Sequence, residues 1–301
     1  MSIRRPLPPR NTRPGKPARP SQAIRAAYAK RLQSRLDEMR TSLLWWLGAE
    51  YKRQQAKIAA YDALPLWRKT LRMIARDASP ANAMLAALRR RMRQWTRHFG
   101  DAAADDAKWF ASRTLGQSSA GVAAGIKGVT GITVRFRATR AMQNAMASIV
   151  AENASLITSL PQRLGVDLEG LIMRSVRSGR DLGQLTDDIE SRFDVARNRA
   201  AFIAEDQNNK ATEALTRVRY QELGITRVEW VHVSRSIQAR KTHEDMDGRP
   251  FLLSEGLYDP AVGRKIRPGE LPRCRCQYAP LIPAFAQTQA DLAKYEEAAN
   301  A

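Results

Sequence analysis

From Ser21 onward, apolar residues recur every third or fourth position: Ile24, Tyr28, Leu32, Leu36, Met39, Leu43, Leu47 and Tyr51. That is the period of one helix face. Ser21 is a natural N-cap, and the pattern predicts a helix to about residue 61. A second helix is expected over 66–76, after which Ser79-Pro80 supplies a break and a restart. A third, over 81–99, sets Met84, Leu85, Leu88, Met92, Trp95 and Phe99 on one side and Arg89, Arg90, Arg91, Arg93 and Arg97 on the other positions. Helical stretches follow over 138–159, stopping before Pro161, and over 168–178, 182–193 and 195–223, the last ending at Gly224 as a C′ residue. The period then shortens to two. Val228, Trp230 and 231–233 read as a strand, with 249–253 its partner across a turn containing Asp247-Gly248. Pro250 confines that partner to an edge. Residues 254–283, rich in Gly, Pro and charge, read as a pinned loop, and 287–300 as a weak acidic helix.

These elements predict a mainly α chain of long helices with a small α+β, loop-rich C-terminal module. Glycines at 116, 121, 125, 128 and 131 suggest a connector over 116–135, and no Gly-Lys-Ser/Thr ending makes it a phosphate loop. The expected organisation is therefore a disordered, basic, Pro-rich arm over 1–20, a basic helical region over 21–115, the connector, a helical part over 136–224, the strand–loop module over 225–283, and a tail over 284–301.

Charge sharpens this division. The net charge is +20, and residues 1–100 hold 23 Lys/Arg against 5 Asp/Glu, whereas 101–301 hold 27 against 25. So lopsided a distribution points to a polyanionic partner such as nucleic acid. The arm and the Arg89–Arg97 helix are the candidate DNA contacts, with a plain solvated helix face as the ordinary account of the latter. No stretch approaches the ~20 consecutive apolar residues of a membrane span, and no apolar segment follows the basic N-terminus as a signal peptide requires. The expectation is a protein that starts life in the cytoplasm.

The chemistry-bearing residues gather in 225–283: Trp230, Arg240, His243, Gly248, Gly269, Cys274, Arg275 and Cys276. A segment with so little core needs a fastener. Zinc accepts thiolate and imidazole ligands, so His243, Cys274 and Cys276 are the candidate metal ligands, with His232, Asp245, Asp247 or water completing the set. Equally open are a hydrogen-bonded His243 and two cysteines buried as small hydrophobes. A disulfide between such near neighbours would be strained. Arg240 and Arg275 are expected to pair with Glu244, Asp245 or Glu270. A catalytic cysteine lacks an orienting partner and an oxyanion turn here, and His243-Glu244-Asp245 lacks the second His of a zinc protease. A metal-dependent nuclease is the enzymatic alternative, and a general basic DNA-binding protein the other.

The ordered series Trp230, Arg240-x-x-His243, Gly248, Pro268-Gly269 and Cys274-Arg275-Cys276 resembles the C-terminal signature of phage Mu F-like minor head proteins. The segments from Asn153 to Pro161 and from Ile203 to Lys210 resemble that family too. The chain departs from the pattern at Arg240 and His243, where many relatives carry Cys-x-x-Cys, and at Leu271, where they carry His. The resemblance implies a non-enzymatic head morphogenesis protein inside the virion head, in the host cytoplasm during assembly, with portal and other head proteins and packaged DNA as partners and no membrane.

Overall fold

The computed structural model describes residues 12–62, 80–178, 182–233 and 240–283. Four long helices account for most of them: α1 (Gln22–Asp62), α2 (Pro80–Thr130), α3 (Arg140–Ser178) and α4 (Leu182–Glu222). Short strands and a one-turn helix complete the chain: β1 (Thr12–Pro14), β2 (Arg227–Val231), α5 (Lys241–Asp245), β3 (Pro250–Leu252), β4 (Leu257–Asp259), β5 (Arg264–Ile266) and β6 (Gln277–Pro283). The fold is mainly α with a small antiparallel part. No helix among the described residues is long and apolar enough to cross a membrane.

The chain separates into two units that cut across the boundaries expected from composition, because each of the four long helices gives one portion to each unit. The first comprises the described residues of Ala26–Lys108 and Val150–Ala204. It is all helical, and its core takes the stripe predicted for α1: Tyr28, Leu32, Leu36, Met39, Leu43 and Leu47 are buried, as are Phe99, Ile157, Leu160, Leu164 and Phe193. Tyr28 buries its hydroxyl by donating to Asn153 Oδ1 at 2.9 Å. Desolvation pushes that phenol well above its ordinary range, with the nearby Asp106 adding to the rise. Asp106 itself is buried between two guanidinium groups, Arg31 at 3.1 Å and Arg35 at 2.7 Å, which supply the counter-charge such burial requires.

The second unit comprises the described residues of Met1–Arg25, Trp109–Ile149 and Glu205–Ala301. Its sheet has the order β1-β6-β2-β3, all antiparallel, with Val228 paired to Phe251 on one side and to Pro280 on the other. As Pro250 implies, β3 is an edge. A separate hairpin pairs β4 with β5. Trp230, Phe251, Tyr278, Tyr220, Ile266, Cys274 and Cys276 share one buried cluster with Ala18, Val122 and Ile126.

Several expectations need correction. The glycines of 116–135 do not form a connector; α2 runs through them and ends at Thr130, before Gly131 in the left-handed region (φ 75°). Two of these glycines serve close approach: a Cβ on Gly121 would sit 2.9 Å from Ala18 Cβ, and one on Gly125 2.5 Å from the Lys16 carbonyl. Packing of an extended segment in that glycine groove offsets the roughly 1 kcal/mol helix cost of each Gly. That segment belongs to the supposedly disordered arm. Residues 12–14 pair with β6, Gly15 N donates to Pro280 O at 2.9 Å, and Ala18 is buried. Polar, proline-rich composition missed this because a strap held by backbone bonds needs few large side chains.

Pro161 does not end α3, which continues to Ser178. Nearby, Thr158 and Ser159 donate their hydroxyls to the Ala154, Ser155 and Leu156 carbonyls, back-bonding of the kind that bends a helix. The flanking Ile157, Leu160 and Leu164 are buried. Likewise, 168–178 is part of α3, and 182–193 and 195–223 are one helix. Its end is as expected: Gly224 has φ 70°, and Ile225 N bonds Tyr220 O at 2.9 Å, a Schellman closure. Residues 254–283 are not one loop but contain β4, β5 and β6. The helix expected over 66–76, the first eleven residues and the tail over 284–301 lie outside the described residues.

Candidate metal centre

The end of β2, the turn of α5, the β4–β5 hairpin and the segment entering β6 converge on one buried polar cluster. His243 follows the α5 N-cap Arg240, whose carbonyl accepts from His243 N and Glu244 N. Cys274 and Cys276 lie on the extended stretch before β6, one residue apart and both buried. His243 Nδ1 is 3.5 Å from Cys274 Sγ and 3.6 Å from Cys276 Sγ. The three candidate ligands named from sequence thus come together, with their ligating atoms within 4.8 Å of one another.

Residues that sequence reasoning did not weigh, or weighed differently, complete the surroundings. Asp259 is fully buried, and its Oδ2 lies 3.4 Å from His243 Nε2. Its other oxygen accepts from Ala261 N at 2.9 Å, closing the hairpin turn. Asp259-Pro260 was visible as a turn signal, but nothing in sequence said the carboxylate would face a histidine. His232 Nδ1 lies 3.7 Å from Cys276 Sγ. The strand register puts it there: Val231, the last residue of β2, pairs with Gln277, so the residue that follows β2 sits opposite Cys276. Asp247 Oδ1 accepts from His232 N at 2.8 Å and is thereby engaged with the backbone, and Asp245 is exposed beside Lys241 at 3.1 Å.

Buried thiols this close share a proton unequally. Cys276 donating to the Cys274 sulfur holds the Cys274 thiol far below its ordinary range, against the opposing effect of burial and with help from His243. The same bond, together with burial, pushes Cys276 up. Gly269 N adds a donor to Cys274 Sγ at 3.3 Å, the kind of backbone contact that favours a thiolate. Trp230 closes one side, its ring edge-on to His243 with centroids 5.3 Å apart.

Helix α4 supports the cysteine loop from below. Asp206 Oδ1 accepts from Arg273 N at 2.7 Å, and Glu205 pairs with Arg275. These two adjacent acids hold Arg273 and Arg275 of the same loop. Glu213 is enclosed under Gly269, which has φ 74° and whose Cβ would fall 2.7 Å from Glu213 Cγ. Desolvation raises the Glu213 carboxyl well above the ordinary glutamate range, partly offset by the Tyr278 N–H. The arginine pairings differ from those expected: Arg240 donates to Pro272 O at 3.0 Å, and Glu270 is taken by Arg264. Gly248 has φ 74° and donates to Trp230 O at 2.8 Å.

The arginines of α2 lie elsewhere, in the all-helical unit. Arg89, Arg90, Arg93 and Arg97 are exposed and Arg91 is half-buried, while Met84, Leu88, Met92 and Phe99 are buried. The basic amphipathic pattern is therefore real. Arg89 is engaged by Glu169 at 2.8 Å.

Residues 167–279 match the family model described as phage Mu protein F like protein, the family whose signature the motifs resemble. That span covers α4, most of the strand–loop module, and His232, His243, Asp259, Cys274 and Cys276. A Haemophilus influenzae protein described as uncharacterized is 28% identical over 178 residues. The match covers 58% of this chain and 38% of that relative, so the chain spans well under half of the relative's length. No solved structure matches.

Proposed function

From residues 167–279 as a phage Mu protein F like region, we propose that the chain is a phage minor head protein. In this account it acts in head assembly without catalysis, inside the head near the portal, with its basic N-terminal part on packaged DNA. The observation that carries the non-enzymatic part is the closure of the cluster. His243, Cys274 and Cys276 are each 3% exposed and Asp259 is 0% exposed. A metal-dependent nuclease needs an open coordination position that a phosphodiester can reach, and a cysteine nucleophile needs an accessible sulfur. Sealed groups of this kind suit a fastener within a structural module.

The charge distribution supports a DNA contact. The exposed arginines of α2 present no base-reading motif, so binding would be to phosphates and would follow salt instead of sequence. The test is genetic. Phage particles lacking the chain should assemble a normal major shell but show defective packaging, stability or infectivity. A purified protein that turns over nucleic acid, with activity lost in His243→Ala while folding persists, would establish a nuclease instead.

A further inference from the structure

We infer that His232, His243, Cys274 and Cys276 form a four-coordinate structural zinc site, with the Asp259 carboxylate orienting His243. The inference is independent of the role in head assembly and rests on geometry alone. With zinc–sulfur bonds of ~2.3 Å and zinc–nitrogen bonds of ~2.0–2.1 Å in a tetrahedron, sulfur and nitrogen ligands stand about 3.5–3.6 Å apart. His243 Nδ1 is 3.5 and 3.6 Å from the two sulfurs, and His232 Nδ1 is 3.7 Å from Cys276 Sγ. Three edges of such a tetrahedron are thus already at ligand spacing. His232 touches the group only at Cys276 and stands outside the three residues whose ligating atoms all lie within 4.8 Å of one another, so in this account its imidazole turns further toward His243 and Cys274 when the ion binds.

Asp259 decides which nitrogen of His243 faces the sulfurs as a lone pair. Its Oδ2 is 3.4 Å from His243 Nε2, and among the described residues neither atom has a well-aligned hydrogen bond. A proton on Nε2 directed at the carboxylate leaves Nδ1 free to ligate, the arrangement in which an outer carboxylate orients a metal-bound histidine. A fully buried carboxylate with an unsatisfied oxygen is costly. A divalent ion bonded to Nδ1, on the other side of the ring, makes Nε2–H a stronger donor and supplies the missing positive charge.

The remaining parts agree. Two thiolates and two imidazoles select zinc over hard cations, which take oxygen ligands. Gly269 N already donates to Cys274 Sγ at 3.3 Å. The site would add metal–ligand bonds between pieces that the sheet and the shared buried cluster already bring together: the end of β2, the turn of α5 and the start of β6, with the hairpin joined through Asp259.

The test uses the full chain without an affinity tag. Metal content by elemental mass spectrometry should give one zinc per chain. Cobalt replacing zinc should show the intense ligand-field bands of a tetrahedral ion together with sulfur-to-metal charge transfer. His232→Ala should change the cobalt bands and weaken zinc binding by at least about tenfold, and Asp259→Asn should weaken it about 10–100-fold while leaving charge transfer in place. Cobalt spectra of the unaltered chain read the site even where cysteine variants fail to fold. Protein that neither carries zinc nor takes up one equivalent overturns the inference. So does a His232→Ala protein with unchanged cobalt bands and unchanged zinc affinity.

Discussion

Asp206 Oδ1 accepts a 2.7 Å hydrogen bond from Arg273 N, and Arg273 is the residue before Cys274, held at φ 61°. A non-glycine residue in the left-handed region needs its surroundings to hold it. A carboxylate on α4 therefore fixes the backbone from which the first cysteine projects. Asp206→Ala should lower stability by about 1.5–3 kcal/mol, the range for a hydrogen bond to a charged group. Urea unfolding checks this, and the thiols of Cys274 and Cys276 should react faster with a thiol reagent in the variant.

The glycines of α2 should separate by sign. Gly116 and Gly128 have open space where a Cβ would go, so Gly→Ala there should stabilise by up to about 1 kcal/mol through helix propensity. Gly125→Ala should destabilise despite the same propensity gain, because its Cβ would meet the Lys16 carbonyl at 2.5 Å. Limited proteolysis should cut near Lys16 faster in Gly125→Ala than in the unaltered chain.

Glu213 gives a pH signature. Its folded-state carboxyl is raised above the ordinary range by burial. Below the ordinary glutamate range, folded and unfolded chains are both protonated and the group is neutral in its effect. As pH rises through that range the unfolded chain releases its proton first, so stability falls until the folded group also ionises. Glu213→Gln removes this loss. Thermal midpoints measured across pH should show the variant's advantage over the unaltered chain growing from acid toward neutral pH.

On α2, Arg93→Ala and Arg97→Ala should each reduce the slope of log affinity for DNA against log salt by about 0.9 where a phosphate contact is lost. Arg89→Ala should have a smaller effect, since Glu169 already engages that guanidinium. Fluorescence anisotropy over a salt series, with two unrelated duplexes, separates these effects from sequence reading.

How much of this was legible in the sequence differed by element. The apolar stripe from Tyr28 to Leu47 and the Schellman stop at Gly224 follow local rules, and local rules were enough. So were β2 and its edge partner, because alternation and Pro250 are local signals. The passage of helix through Pro161 and through Gly121 and Gly125 was not legible. Each residue opposes helix by itself and is tolerated because of tertiary packing. β6 was hidden by Pro280 and Pro283, and β1 by a composition that reads as disorder. At the site, residue type and spacing singled out His243, Cys274 and Cys276. Asp259 and the service of Asp206 to Arg273 depend on chain segments 16 and 67 residues away in sequence, which no local pattern reports.

Head assembly is the central claim, and the composition of purified particles tests it most directly. Quantitative mass spectrometry of DNA-filled heads, freed of tails and of loosely bound protein, should find this chain at a small, constant fraction of the major shell protein. Complete, DNA-filled and infectious particles from which the chain is absent would contradict the account.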